Sequence, residues 1–378
     1  MKKYIFTIFV FLLTLFCIIF PESMIDSTKN GLSLWWKIVL PSLFPFLILS
    51  NLITKTAIPM LFGKVLTPIM KFIFNLPGIS ALPLFLGMTG GYPLGAKVTS
   101  DLLLNNQISK PIANRLIAFT NNSGPLFISG AIGIGLYGSK KIGTLLLLSH
   151  YISALLIGLF FRFTNKYDYT DKNSKKIDFE IISLKNLGTT LTDAVKNGII
   201  SIVLIGGFII LFSIISTIML ETGLIYAISN LMFKNLDKTT SFYIISGILE
   251  VTNGVSLIST ANISLLKKLI ITSILLGFGG FSIHTQTLSV ISKTDIKISY
   301  YLIGKTLQGI LSGIITYLAL IYTNFSEILL TPVFKNNLEY NSYGVNMLFN
   351  VLLLFTIFVS IFKILQQLST QTKKHTKI

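Results

Sequence analysis

Six stretches of roughly 20 residues, almost free of charge, recur along this chain: Tyr4 to Phe20, Leu32 to Ile53, Ile142 to Phe163, Ile199 to Leu220, Tyr300 to Tyr322 and Val345 to Leu365. Each is long enough to cross the hydrocarbon core of a bilayer as a helix, the form in which an open segment satisfies its own backbone N–H and C=O groups in lipid. The chain is therefore expected to be an all-α polytopic membrane protein. Composition agrees, since 52% of the 378 residues are hydrophobic and 12% charged, about half the roughly 25% charged share of soluble domains. No soluble domain is left between the runs.

The net charge of +17 does not indicate nucleic acid, because the basic residues are scattered over short loops and ends, with no RNA-binding motif and no continuous basic stripe. They follow instead the excess of Lys and Arg on cytoplasmic loops. Cys17, the only cysteine, rules out an intrachain disulfide or a thiolate metal site. The opening MKKYIFTIFVFLLTLFCIIFPES has the charged head and apolar run of a signal peptide, but bulky Ile18, Ile19 and Phe20 stand where a small-residue cleavage site belongs. It reads as an uncleaved anchor with a cytoplasmic N-terminus, followed by a slightly acidic outer loop carrying Glu22, Asp26 and Lys29. Trp35 and Trp36 read as an interfacial aromatic belt.

The most polar stretch, Arg162 to Asn186, divides the membrane region into two comparable parts. The expected organisation is an anchor helix with a short outer loop (1–30), a first membrane repeat (31–163), a polar linker placed in the cytoplasm (164–197), a second membrane repeat (198–323), and a loop, last span and basic tail (324–378). The repeat rests on similarities that occur in one order. Asn30-Gly31 and Asn197-Gly198 each precede a long apolar run. GMTGGYPL (Gly87 to Leu94) aligns without gaps with EVTNGVSL (Glu250 to Leu257), which sets Gly87 against Glu250. NNSGPLFISG (Asn121 to Gly130) corresponds to GFGGFSIHTQ (Gly277 to Gln286), and HYISALLIG resembles GILSGIITY.

Corresponding broken segments in two halves mark secondary transporters, whose discontinuous helices meet near the bilayer midplane. Ile79 to Leu104 reads as a re-entrant hairpin of two half-membrane helices of about 11 residues each, joined at Gly90-Gly91. That gives each half an odd number of crossings and the two halves opposite orientations. It leaves Lys140-Lys141 and Lys267-Lys268 outside, against the charge rule, and puts the linker and tail cations in the cytoplasm. KTAIPMLFGKVLTPIMKFIFNLPG, with Lys55, Lys64, Lys71, Pro59 and Pro68, reads as a kinked helix lying in the interface.

Backbone groups freed by a helix break must line a cavity or be buried in protein, so breaks mark the polar interior. Half-helix N-termini there suit an anion, and C-terminal carbonyls a cation. The candidate binding residues are Thr89, Gly90, Gly91 and Tyr92 at the first break, Asn121, Asn122, Ser123 and Gly124 at the next, Thr252, Asn253 and Gly254 after Glu250, and His284 and Gln286 after Gly279-Gly280. The side chains of Asn121, Asn122 and Ser123 either face a ligand or tie helices together, and the ligand-facing reading is preferred. Glu250 is the candidate proton or cation site, because carboxylates inside spans usually face a pathway; helix capping is the alternative. Lys97 and Arg115 are candidate counter-charges for an anion, with snorkelling to headgroups as the other reading. Lys305 and Gln308 are candidates for the same cavity. No metal site or cofactor is expected, and without an HExxH motif, paired membrane aspartates or a suitably placed cysteine no enzyme is expected either.

LPSLFPFLILSNL (Leu40 to Leu52), GMTGGYPLGAKVTSDL (Gly87 to Leu102), RLIAFTNNSGPLFISGAIG (Arg115 to Gly133), LEVTNGV (Leu249 to Val255) and LGFGGFSIHTQ (Leu276 to Gln286) resemble the YlbJ/SpoVV family of sporulation integral membrane proteins, within the nucleoside-recognition or Gate-domain membrane proteins. The resemblance covers nearly the whole chain. It implies an architecture similar to concentrative nucleoside transporters, a place in the outer forespore membrane, and carriage of dipicolinic acid from the mother cell across that membrane. The implied partners are dipicolinic acid and the lipid bilayer, with no nucleic acid; a homo-oligomer is left open, and a nucleoside or other small metabolite or ion is the alternative cargo. Dipicolinate is a flat aromatic dianion, so half-helix N-termini at Gly90-Gly91 and Asn122-Ser123 would take its carboxylates, with Tyr92 or Phe127 against the ring.

Overall fold

The structure, a computed structural model, describes residues 2–53, 58–163, 187–232 and 237–322. Every regular element among them is a helix. Four helices are long and apolar enough to cross a membrane, Lys140–Arg162, Gly188–Glu221, Leu265–Ile291 and Ile298–Tyr322, and two bent pairs bring the total to as many as six. The linker 164–186, the expected last span 345–365 and the basic tail lie outside the described residues.

The N-terminal region differs from expectation. The helix Lys2–Ile19 is followed not by a loop but by a second helix, Pro21–Leu34, set at 105° to the first. Pro21 at the first helical position accounts for this, because its missing N–H is an orphan there and its fixed φ suits a helix start. Glu22, Asp26 and Lys29 therefore lie on a helix, with Lys29 3.5 Å from Asp26 on the exposed side. The helix widens through one π-turn at Trp35–Val39 and runs on as Leu40–Ile53. The Lys- and Pro-bearing segment after it is helical from Ile58–Ile69 through Met70–Phe74, with Pro68 inside.

After its opening helix and a short apolar helix, each half runs through the same three elements. In the first half these are a hairpin of Ala81–Gly90 and Leu94–Leu104, a broken segment of Lys110–Ile117 and Leu126–Leu136, and the straight helix Lys140–Arg162. In the second they are a hairpin of Lys238–Leu249 and Val251–Thr260, a broken segment of Leu265–Phe278 and Gly280–Ile291, and the straight helix Ile298–Tyr322. Hairpin arms of 10 to 12 residues are about 15–18 Å long at 1.5 Å per residue, half the hydrocarbon thickness.

Small residues let the arms touch. A β-carbon on Gly254 would stand 2.0 Å from the Cα of Gly247, and one on Gly87 3.0 Å from the Cα of Gly95. In each hairpin the glycine contact flanks the tip: Gly87 and Gly95 stand on either side of Gly91 to Pro93, and Gly247 and Gly254 on either side of Glu250.

The opening helices of the two halves pack side by side and antiparallel: Gly31 meets Ile210 and Ser213, while Gly198 meets Phe44 and Ile48. The two Asn-Gly glycines thus lie at opposite ends of one helix pair. Other contacts sort segment ends into two sets. In one set, Lys110 lies 3.8 Å from Asp295 and the Lys297 N–H donates to Asn114 Oδ1 at 2.8 Å; Arg162 donates to the carbonyls of Phe72 and Ile73. In the other, Ser23 Oγ donates to the Glu221 carboxylate at 2.8 Å and Lys268 to the Ser259 carbonyl at 2.9 Å. The start of the first broken segment therefore sits beside the end of the second.

Candidate functional site

The helix breaks come together in the interior in two pairs. Gly91, the only residue of the first tip with positive φ (+78°), places its backbone against Gly124 in the first broken segment. Gly279 and Gly280, both with positive φ, end one helix and start the next, and Gly280 lies against the carbonyls of Gly247 and Ile248 and the amide of Val251 beside the second tip. The left-handed backbone at these glycines is what lets a helix stop and restart within a span.

Between the two pairs lies a narrow, partly open cleft. Its polar wall is Tyr92, Ser123, Glu250, Thr252 and Gln286, with the Gly124 backbone; its apolar wall includes Val39 and Leu43 from the first opening helix, Ile205 and Ile209 from the second, and Phe127 and Ile283. Both halves contribute. The cleft is narrow, and only a handful of water molecules would fit in it. A flat aromatic diacid would enter only if the walls part.

Glu250 does two things at once. Its carboxylate caps the helix Val251–Thr260, accepting from the Thr252 N–H at 3.1 Å and the Asn253 N–H at 2.7 Å, and it lines the cleft. Capping was the alternative reading, and it has a consequence for binding. The positive end of that half-helix is already occupied by a carboxylate, so it is not open to an incoming anion. Donors at the other breaks are also partly spent: the Ala96 N–H points to Asn121 Oδ1 at 3.4 Å, and the Ser123 N–H donates to His150 Nε2 at 3.1 Å.

Asn121 and Asn122 turn away from the cleft, which reverses the preferred reading of those side chains. Asn121 Nδ2 donates to Thr287 Oγ1 at 3.0 Å, and Asn122 Nδ2 to the Phe119 carbonyl at 2.7 Å. Asn122 Oδ1 accepts from Gln308 Nε2 at 2.9 Å, and the same Gln308 nitrogen donates to the His150 carbonyl at 3.2 Å. This is a knot between helices, and a buried amide group earns its place there because each polar atom finds a partner.

Lys305 is the centre of the knot. Its fully buried amine donates to Tyr92 Oη at 3.1 Å, the Asn121 carbonyl at 3.1 Å and Gln308 Oε1 at 2.7 Å. Tyr92 Oη in turn donates to the Leu276 carbonyl at 3.0 Å, so the first hairpin tip is tied to the second broken segment. Lys305 and Gln308 thus stand one side chain behind the cleft. His150 is the member that sequence reasoning missed; the small-residue pattern around it marks helix packing and gives no sign of its acceptor role.

The remaining candidates fall elsewhere. Thr89 bonds to the Phe85 carbonyl of its own helix at 2.8 Å, and Gly90 is buried beside Leu94 and Phe46. Asn253 supplies its backbone to Glu250, and Gly254 serves the hairpin contact. His284 places Nδ1 3.2 Å from Tyr301 Oη, its ring edge-on to Phe278, Phe281 and Tyr301, away from the cleft wall. Neither candidate counter-charge reaches the cleft. Arg115, 1% exposed, donates to the carbonyls of Phe74 and Asn75 where a helix ends, and Lys97 reaches Asn51 Oδ1 at 3.4 Å. Trp35 and Trp36 also divide: Trp36 is exposed, but Trp35 packs on Gly206 and donates Nε1–H to the Ile202 carbonyl at 2.9 Å, which makes it a tie between the opening helices and not part of a belt.

No protein-family model and no solved structure matches the chain. It is 36% identical over 329 residues to the sporulation integral membrane protein YlbJ of Bacillus subtilis (strain 168), a similarity covering 82% of this chain and 81% of that protein.

Proposed function

The chain belongs to the YlbJ family of sporulation integral membrane proteins, and from this we propose that it carries dipicolinic acid from the mother cell across the outer forespore membrane by alternating access of two inverted halves. The observation that carries the reading is the convergence of both hairpin tips and the first helix break on one cleft to which both halves contribute. A protein with only a structural task in the membrane has no use for such breaks, each of which exposes backbone that must be satisfied.

The halves' matching element order, the antiparallel Gly31 and Gly198 contacts, and the grouping of Lys110 with Asp295 support an inverted arrangement. An axis in the membrane plane puts the beginning of one segment beside the end of its equivalent, which is the pattern of those contacts. The narrowness of the cleft corresponds to a closed state, from which one hairpin and its neighbours move away to admit cargo. Tyr92 and Phe127 would stack on the pyridine ring. Glu250 would repel a dianion while ionised, so we assign it the proton that accompanies the substrate, which removes the repulsion and couples transport to a proton gradient. The chemistry is carriage with no bond made or broken.

A second reading is favoured by the same carboxylate. Glu250, Thr252, Gln286 and Ser123 offer a set of polar groups that suits the hydroxyls and base edge of a neutral nucleoside. Uptake into vesicles reconstituted with the purified protein separates the two. Labelled dipicolinate is expected to accumulate above protein-free vesicles and to be indifferent to excess uridine; uridine uptake without dipicolinate uptake overturns the dipicolinate reading.

A further inference from the structure

The hydrogen bonds around Lys305 are those that an ammonium makes. Asn122 must direct Nδ2 at the Phe119 carbonyl, which leaves Oδ1 to accept from Gln308; Gln308 must then direct Nε2 at Asn122 and the His150 carbonyl, which leaves Oε1 facing Lys305. Tyr92 has given its hydroxyl hydrogen to the Leu276 carbonyl and offers Lys305 a lone pair. The Asn121 carbonyl can only accept. Three acceptors converge on one nitrogen, and only an ammonium supplies three donors to meet them.

That ammonium is buried without a counter-ion. Among the described residues no carboxylate approaches Lys305 within 4 Å. Arg115, the other large buried cation, lies at a helix end outside the cleft. A buried charge is ordinarily paired, because neutral acceptors do not replace the solvation it loses. Lys305 is also separated from the cleft by a single side chain, with its amine on the hydroxyl of Tyr92, a residue of the cleft wall.

The geometry points to Lys305 as the counter-charge that receives a carboxylate of an anionic substrate, with Tyr92 as the gate residue that yields its place at the amine. The inference rests on reading the cleft as the path of a carried anion. Withdrawal of the Tyr92 hydroxyl breaks its bonds to both Lys305 and the Leu276 carbonyl, which frees one position on the ammonium and loosens the first hairpin tip from the second broken segment, so that binding and opening share one side chain. The ligand class is a small planar carboxylate, and a charge at this point discriminates against neutral molecules of the same shape.

The test is ligand-induced thermal stabilisation of the purified full chain in detergent, with dipicolinate, isophthalate, picolinate and the neutral dimethanol analogue of dipicolinate as probes. Wild type is expected to be stabilised by the carboxylates and not by the diol. Lys305→Met is expected to raise the half-saturating carboxylate concentration roughly tenfold or more, the size of a lost charge-assisted hydrogen bond. Tyr92→Phe keeps the ring and removes the competing acceptor, so the half-saturating concentration is expected to fall about fivefold; this variant decides the matter if Lys305→Met does not fold. Equal stabilisation by diacid and diol, no stabilisation by any carboxylate, equal carboxylate response in wild type and Lys305→Met, or an unchanged response in Tyr92→Phe overturns the assignment of Lys305. Stabilisation by isophthalate or picolinate but not dipicolinate, lost in Lys305→Met, keeps Lys305 as counter-charge and overturns dipicolinate as the cargo.

Discussion

Gly247 and Gly254 meet backbone to backbone across the second hairpin, with no room for a side chain on Gly254: its β-carbon would fall 2.0 Å from the Gly247 Cα. Because backbone and not a flexible side chain occupies the space, the arms must separate to accept even a methyl group. Gly254→Ala is expected to destabilise the protein by about 3 kcal/mol, at the upper end of overpacking costs. Gly207 provides the control. It sits in a helix interior with nothing within 4 Å of an added β-carbon, so Gly207→Ala should stabilise by about 0.5–1 kcal/mol. Thermal unfolding in detergent compares the two; a harmless Gly254→Ala would mean that the arms are not in contact in the membrane.

The proton assigned to Glu250 predicts a dissociation of two properties. Glu250→Gln keeps one acceptor for the start of Val251–Thr260 and loses the second, at a cost of about 1 kcal/mol. Dipicolinate uptake by reconstituted vesicles should then persist when substrate is supplied in excess but stop responding to an imposed pH gradient. Continued response to the gradient would move the coupling proton elsewhere.

The inverted arrangement predicts which ends share a side of the membrane. In a Cys17→Ser background, Asn105→Cys and Asp295→Cys should react with an impermeant thiol reagent from one side, and Lys141→Cys and Thr222→Cys from the other. All four positions are exposed. Labelling of Asn105→Cys and Lys141→Cys from the same side would exclude a broken span between them.

Asp237 caps the helix Lys238–Leu249, accepting from the Thr240 N–H at 2.9 Å. The Thr240 amide, and then its hydroxyl, hold this exposed carboxyl below its usual range. A carboxyl with a lowered native pKa stabilises the fold above its unfolded value and ceases to do so as the pH falls through the native one. Asp237→Asn should therefore abolish the part of the stability loss that wild type suffers below about pH 4, while Asp237→Ala also loses about 1 kcal/mol at neutral pH. Unfolding temperature against pH distinguishes the two variants.

How far the sequence could be read depended on how local each signal was. Gly90-Gly91, Asn121 to Gly124, Glu250 and Gly279-Gly280 all mark real breaks, because glycine, proline and polar side chains in an apolar run advertise an interruption at the place where it occurs. Pro21 advertised a helix start as clearly, and the loop expected there put too much weight on the charges of Glu22, Asp26 and Lys29. The direction in which a side chain leaves the break was not legible. Asn121 and Asn122 turn inward because Thr287, Gln308 and Phe119 receive them, and two of those partners lie more than 160 residues away. The ammonium of Lys305 belongs to the same class of fact: its acceptors come from three separated segments, and the pattern GKTLQGILSG by itself fits a lipid-facing helix with one snorkelling lysine equally well.

The knot around Lys305 bears on how the protein is made. When synthesis has passed Arg162, the first half has its hairpin, its broken segment and its straight helix, yet Asn121 still lacks Thr287, Asn122 lacks Gln308 and Tyr92 lacks both Leu276 and Lys305. Those partners leave the ribosome more than a hundred residues later. Until they are made, the polar groups of the first half that they meet in the finished protein lack those partners.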